Sequence, residues 1–171
     1  MRKPISIAVG LALLATCDGG EPDATSTGTP VPDEPTVYEI LQDDERFATF
    51  FGLVEDHGPD LLSVMRVDSW DHTMLVPINQ AFEELPEGTL DPYTASENAF
   101  REFFDSHFVG GTIPAAELPE TPQPVAGLIE VTVDDGTVRW GRATIIESDI
   151  EARNGMVHAI DTVLFPEDYV T

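Results

Sequence analysis

The apolar positions divide the chain into segments of different period. Phe47, Phe50, Phe51 and Val54 recur at i, i+3, i+4 and i+7, the spacing of one helical face. Asp43, Asp44 and Glu45 stand just ahead of them, where a helix dipole favours anions, and His57-Gly58-Pro59 ends the helix. Asp60 is placed to cap a second, short helix carrying Leu61, Leu62, Val64 and Met65. After a loop at Trp70-Asp71-His72, Thr73 to Val76 reads as a short strand stopped by Pro77. Asn79 reads as the N-cap of a helical turn from Gln80 to Leu85, closed by Pro86-Glu87-Gly88. The helical spacing returns at Phe100, Phe103, Phe104 and His107, with Ser96 or Thr94 as cap and Gly110-Gly111 as stop.

From Leu128 the period switches to two. Ile129, Val131 and Val133 share one face, and Glu130, Thr132 and Asp134 the other. Asp135-Gly136 is a hairpin signal leading back through Thr137 to Trp140, and Arg142 to Glu147 continues as another strand. A polar turn, Arg153-Asn154-Gly155, then launches a run from Met156 to Phe165 interrupted only by His158, Asp161 and Thr162. That run predicts a central strand buried on both faces. Helices first, then antiparallel strands, without βαβ alternation, place the chain in the α+β class. No internal repeat is visible.

Charge adds a constraint on partners. Eight Lys and Arg stand against 32 Asp and Glu, for a net charge of −24 over 171 residues. No lysine follows Lys3. Such a surface repels nucleic acid and anionic headgroups, favours solubility, and attracts divalent cations or basic partners.

The N-terminus adds an address. Arg2 and Lys3 precede an apolar stretch, Ile5 to Ala15, too short to span a bilayer. Leu14-Ala15-Thr16-Cys17 resembles a bacterial lipobox, with Thr16 in place of the usual Gly or Ala. This predicts a signal peptide over 1–16 and a lipidated Cys17, the chain's single cysteine, whose two thiol-linked acyl chains suffice for stable anchoring. Residues 17–35 form an acidic tract rich in Pro, Gly and Thr with too little apolar surface to fold, and so read as a tether. The predicted domain covers 36–166, with a tail at 167–171.

Three segments together resemble the fasciclin domain family. Thr73-Met74-Leu75-Val76-Pro77-Ile78-Asn79-Gln80-Ala81-Phe82 is similar to its first homology box, with Thr73, Pro77, Asn79 and Phe82 matching and Ile78 replacing a threonine. Phe104 to Gly111 resembles its central histidine segment around His107. Asp149-Ile150 followed by Asn154 to Pro166 resembles the second box, N-G-x-V-H-x-I-D-x-V-L-x-P, through Asn154, Gly155, His158, Asp161 and Pro166. The resemblance implies a wedge-shaped β-sandwich with helices packed around it, no catalytic residues, and action at cell surfaces or in matrices through adhesion or binding. In animal members an Asp-Ile pair and a Tyr-His pair are implicated in integrin contact. Asp149-Ile150 matches the first and makes a candidate partner-binding site; Ser106-His107 lacks the tyrosine of the second.

Candidate chemistry is sparse. The four histidines, His57, His72, His107 and His158, fall in no HExxH motif and at no helical ligand spacing, so no metal site is predicted. His107 and His158 lie in apolar surroundings and read as core histidines bonded to backbone. Asp134-Asp135-Gly136 is a fragment of a calcium loop without its other ligands. No cofactor is expected beyond weak Ca²⁺ binding on the acidic surface. The leading expectation is a lipid-anchored adhesion module of a bacterial envelope, its domain in the periplasm or on the cell surface. Its membrane contact runs through the lipid, and its partner is an envelope or extracellular protein or polysaccharide. The alternatives are a periplasmic small-molecule-binding or hydrolytic protein using His107 or His158, and a structural calcium-binding surface protein.

Overall fold

The computed structural model describes residues 34–120 and 129–168. The leader, Cys17 and nearly all of the tether lie outside the described residues. Among the described residues no helix is long and apolar enough to cross a membrane.

The domain opens on α1 (Val37–Asp43), launched by a reciprocal capping box: Thr36 Oγ1 accepts from the Glu39 N–H (3.2 Å), and the Glu39 carboxylate accepts from the Thr36 N–H (2.8 Å). The Thr-x-x-Glu pattern is present in the sequence and marks this start. Asp44 caps a 3-10 turn, Glu45–Phe47, that feeds directly into α2 (Ala48–His57). Phe47 thus sits in the turn rather than the helix, yet it is buried with Phe50, Phe51 and Val54. α3 (Pro59–Met65) has Gly58 at its N-cap position and Pro59 in its first turn. The expected cap, Asp60, lies inside that turn because proline, lacking a donor and fixed in φ, takes the first helical position.

Asn79 is likewise not the cap of its own helix. Ile78 holds that position, and Asn79 is the first residue of α4 (Asn79–Glu83). Its carboxamide accepts from the Thr49 N–H (2.9 Å) and donates to the Glu45 carbonyl (2.7 Å). Thr49 lies in the first turn of α2, whose N-cap Phe47 offers no side-chain bond. Asn79 therefore caps α2 from across the fold, satisfying an orphan donor there.

After α5 (Asp91–Thr94), α6 (Glu97–Asp105) starts on Ser96, whose hydroxyl accepts from the Ala99 N–H. It ends at Asp105, before the predicted glycine stop, and Phe108–Gly110 is a strand. The strands are β1 (His72–Pro77), β2 (Phe108–Gly110), β3 (Val131–Asp134), β4 (Thr137–Trp140), β5 (Ala143–Ala152) and β6 (Gly155–Ile160), in sheet order β2-β1-β6-β5-β4-β3. Asp135 (φ 47°) and Gly136 (φ 82°) make the β3–β4 turn that Asp-Gly foretells. β5 runs five residues beyond its predicted end, and β6 stops five residues short of Phe165.

The sheet is mixed: β1 pairs parallel with β6 from His72↔Gly155 to Pro77↔Ile160, and the remaining pairs are antiparallel. The parallel pair differs from the antiparallel expectation. Both strands are continuous apolar runs, and burial of both faces puts them side by side at the centre. Met74, Val76, Val157 and Ala159 face a core built with α1, α2, α3 and α6. Leu75 and Ile160 face a second core with Trp140, Val138, Ile145, Ile113 and Leu118. Residues from both ends of the sheet share that second core, so the two layers of the expected wedge are the two ends of one curled sheet. Val131 is only half-buried and Val133 is exposed, because edge strand β3 runs outward past this core. At the C-terminus, Glu167 and Asp168 belong to the fold rather than to a tail: Asp168 accepts from the Phe165 N–H (2.9 Å) and pairs with Arg142 (3.3 Å).

Candidate functional site

The parallel register aligns Leu75 with His158 and Thr73 with Met156, so Thr73 and His158 lie on the same face of the sheet. Both are fully buried. Thr73 Oγ1 donates to the Gly111 carbonyl and accepts from the Ile113 N–H, each at 2.7 Å. His158 Nδ1 accepts from the Asp149 N–H (2.9 Å), which fixes the tautomer and leaves Nε2–H to donate to the Ile113 carbonyl (3.0 Å). Asp149 Oδ1 accepts from the Ala115 N–H (2.8 Å). Three separated stretches of sequence thus strap residues 111–115 across the second core.

Asp149 is shaped for this. It has φ 61° and sits where the β5–β6 register shifts between Glu147 and Ile150. Aspartate tolerates the left-handed region, and a bulge frees its N–H from the ladder and re-aims its side chain. Ile150 is half-buried against the helical core. The candidate partner-binding pair is therefore tied into the structure, with Asp149 exposed at the rim.

At the other end of β6, Asn154 accepts from the Val37 N–H (2.9 Å) and donates to the carbonyls of Met65 (2.8 Å) and Val67 (3.0 Å). Gly155 follows because a Cβ there would run into the His72 carbonyl oxygen of β1. Asp161 extends the ladder beyond β6: its Oδ1 accepts from the Thr144 N–H (2.7 Å), and its own N–H donates to the Thr144 carbonyl. Pro77 ends β1 opposite Ile160, Phe82 packs half-buried on the helical core, and Pro166 begins the closing turn.

His107 is buried against Phe103 and Phe50, with ring centroids 4.8 and 5.3 Å away. Its Nε2 accepts from the Leu164 N–H (3.3 Å), so Nδ1–H donates to the Phe103 carbonyl (2.9 Å). Burial pushes His107 down to about 4, against the opposing effect of the Phe103 bond. Burial also lowers His158, opposed by the Ile113 bond and the Asp149 charge. Both rings are neutral at pH 7, with both nitrogens engaged inside the fold. They are the core histidines that the apolar context predicts.

Among the described residues no reactive arrangement emerges around them. Ser106 is buried and donates to the Glu102 carbonyl, His158 is committed to Asp149 and Ile113, and Asp161 to Thr144 and Thr162. These three do not form a nucleophile–base–acid chain. Among the described residues no group of three or more His, Cys, Asp and Glu side chains could hold a metal. His72 is stacked on Trp70 (4.9 Å) and edge-on to Phe108, and burial lowers its pKa as well. Beyond Gly111, the residues of the 111–115 strap carry no sequence signal: their backbone groups do the bonding.

The fasciclin domain profile matches residues 45–166. Protein sll1483 of Synechocystis is 31% identical over 135 residues, covering 77% of this chain and 73% of that protein. Immunogenic protein MPB70 of Mycobacterium bovis is 28% identical over 110 residues, covering 64% of this chain and 57% of that one. Transforming growth factor-beta-induced protein ig-h3 of Sus scrofa is 26% identical over 79% of this chain, which spans only 20% of its length. Among solved structures, a FAS1 domain pair from the insect cell adhesion molecule fasciclin I superposes with a TM-score of 0.59 at 17% identity, covering 80% of this chain and 53% of that one.

Proposed function

Since the chain belongs to the fasciclin domain family, we propose that it is a non-catalytic binding and adhesion module, held to a bacterial cell envelope by a lipid on Cys17. One observation carries the non-catalytic reading. The polar residues of the two motif boxes and the central segment (Thr73, Asn79, His107, Asp149, Asn154, His158 and Asp161) are bonded within the domain, several of them wholly buried. They specify architecture and leave recognition to the surface. The adhesion molecule among the structural neighbours supports a role at a surface. The lipobox, the acidic tract and the domain follow one another as anchor, spacer and head. The partner in this reading is an envelope or extracellular protein or polysaccharide, and Asp149-Ile150 at the rim is one place for it.

Anchoring and adhesion have separate tests. Cys17→Ser is expected to move the protein from the membrane to the soluble fraction; retention in the membrane would refute lipidation. Capture from envelope extracts and cell-wall polysaccharide is expected to recover a partner. Hydrolysis of ester or phosphoester substrates, abolished by a His158 variant that still folds, would instead establish the hydrolytic alternative.

A further inference from the structure

Residues 112–114 of the strap lie in no helix or strand, yet Ile113 and Ala115 are buried in the second core with Leu75, Leu118 and Trp140. Side chains hold the backbone there. Thr73 takes the Ile113 N–H, His158 the Ile113 carbonyl, and Asp149 the Ala115 N–H. His158 and Asp149 are also bonded to each other, through Nδ1 and the Asp149 N–H. One end of the strap therefore depends on a histidine nitrogen that must stay unprotonated.

Asp149 is placed to respond to a proton there. It is exposed, has φ 61°, and falls in the β5–β6 register shift, outside the paired positions of the ladder. Its charge acts on the His158 ring. The second core around that ring is otherwise free of charged groups among the described residues. Glu147 pairs with Ala159 and turns to Arg46 on the helical side of the sheet. His107 packs there on Phe50 and Phe103, and His72 stacks on Trp70. Asp71 is bonded to Thr112 Oγ1, and Glu117 beyond the strap is exposed.

We propose that His158 and Asp149 form an acid-operated latch on the strap. A proton from solvent adds at Nδ1, since Nε2 already carries hydrogen. The ring is then a donor at both nitrogens and can no longer accept from the Asp149 N–H. The Asp149 carboxylate turns from the Ala115 N–H to the new Nδ1–H, a charge-assisted bond. This exchange frees the Ala115 end of the strap and draws the carboxylate in from the rim. In the closed form burial lowers the pKa of His158. In the open form the ring meets water and a carboxylate, and titrates at or above about 6.5. The open form therefore takes the proton first, and opening gains up to about tenfold for each pH unit below about 6.5. As a control on binding at the Asp149–Ile150 rim, the latch rests on the binding-module reading; as a motion of the strap it stands apart from it.

The test is amide hydrogen exchange of the full mature chain between pH 7 and pH 5 at constant salt, resolved residue by residue and corrected for the intrinsic rate. The Ala115 and Asp149 amides are expected to lose protection by roughly tenfold per pH unit while exchanging faster than Val37, whose N–H is held by Asn154 at the other end of β6. His158→Gln, which offers an acceptor and a donor without titrating, should abolish that pH response, and His107→Gln should leave it in place. Asp149→Asn keeps an acceptor for Ala115 but cannot form the ion pair, so it should move the response to lower pH. That variant and the unsubstituted chain decide the matter if His158→Gln does not fold. Strap protection that is constant with pH overturns the latch. So does strap exchange no faster than that of Val37, which makes the opening global, or an acid response that survives His158→Gln. Envelope capture at the two pH values reads the premise separately. Capture that weakens at pH 5, but not in His158→Gln, supports control of the rim; equal capture while the strap opens overturns that control.

Discussion

At the scale of single residues, polar side chains in this domain are placed where the backbone has a group to satisfy. His107 shows what that does to titration. An unfolded histidine titrates near 6.5, while burial holds folded His107 down to about 4. The unfolded chain therefore takes the proton first as pH falls. The stability due to a neutral His107 is complete above about 6.5 and is lost progressively between about 6.5 and 4, a loss on the order of 3 kcal/mol. His158, also lowered by burial, adds in the same direction. Glu39 is held low chiefly by its backbone and side-chain bonds with Thr36, and Asp44 by Arg46, so these carboxylates withdraw support at more acid pH. Asp105, raised by burial, acts the opposite way. Thermal melts from pH 8 to pH 4.5 are expected to fall below pH 6.5, and His107→Gln to start lower but decline less. An undiminished slope in that variant would show that His107 does not carry the acid sensitivity.

At the scale of elements, the domain is tied by side chains that reach between segments far apart in the chain. Asn154 binds the β5–β6 turn to the start of α1 and the end of α3. Asn154→Ala strands one N–H and two carbonyls, and a loss of about 2–4 kcal/mol is expected. Asn154→Asp keeps the acceptor but loses both donations and puts charge against carbonyls, so it should be no better. Urea midpoints for the two variants decide this, and a change under about 0.5 kcal/mol would show that water replaces the amide. These ties also explain what the chain alone reveals. The helical faces at Phe47–Val54 and Phe100–Phe104, the Asp135-Gly136 hairpin and the burial of β6 are local patterns and are legible. Asn79 was legible as a cap but not as the cap of α2, because its partner Thr49 lies 30 residues away. β2 is only three residues long, too short for a period. The parallel β1–β6 pairing has no turn to announce it. The bulge at Asp149 leaves no trace in composition, so a residue resembling a contact site also proves to hold Ala115 and His158.

At the scale of the whole molecule, charge opposes what the elements build. With 32 acidic side chains against eight Lys and Arg, and most described carboxylates exposed, folding concentrates like charges that the unfolded chain spreads out. The repulsion acts through solvent, so salt should relieve it: the Debye length falls from about 10 Å at 0.1 M to about 3 Å at 1 M. Ion pairs such as Arg46 with Asp44 and Glu147 weaken over the same range, but exposed pairs contribute only about 0–1 kcal/mol and few occur among the described residues. Repulsion wins, and the melting temperature should rise with NaCl, by roughly 3–4 °C for each kcal/mol relieved in a domain of this size, until screening saturates. Divalent ions should act more strongly, but without selectivity. Among the described residues no cluster offers calcium its six to eight oxygens, so MgCl₂ and CaCl₂ at equal concentration should raise the melting temperature equally. A calcium-specific increment that saturates at low millimolar concentration would point to a built site and restore the structural calcium reading. Equal shifts assign the acidic surface to solvation in salty surroundings.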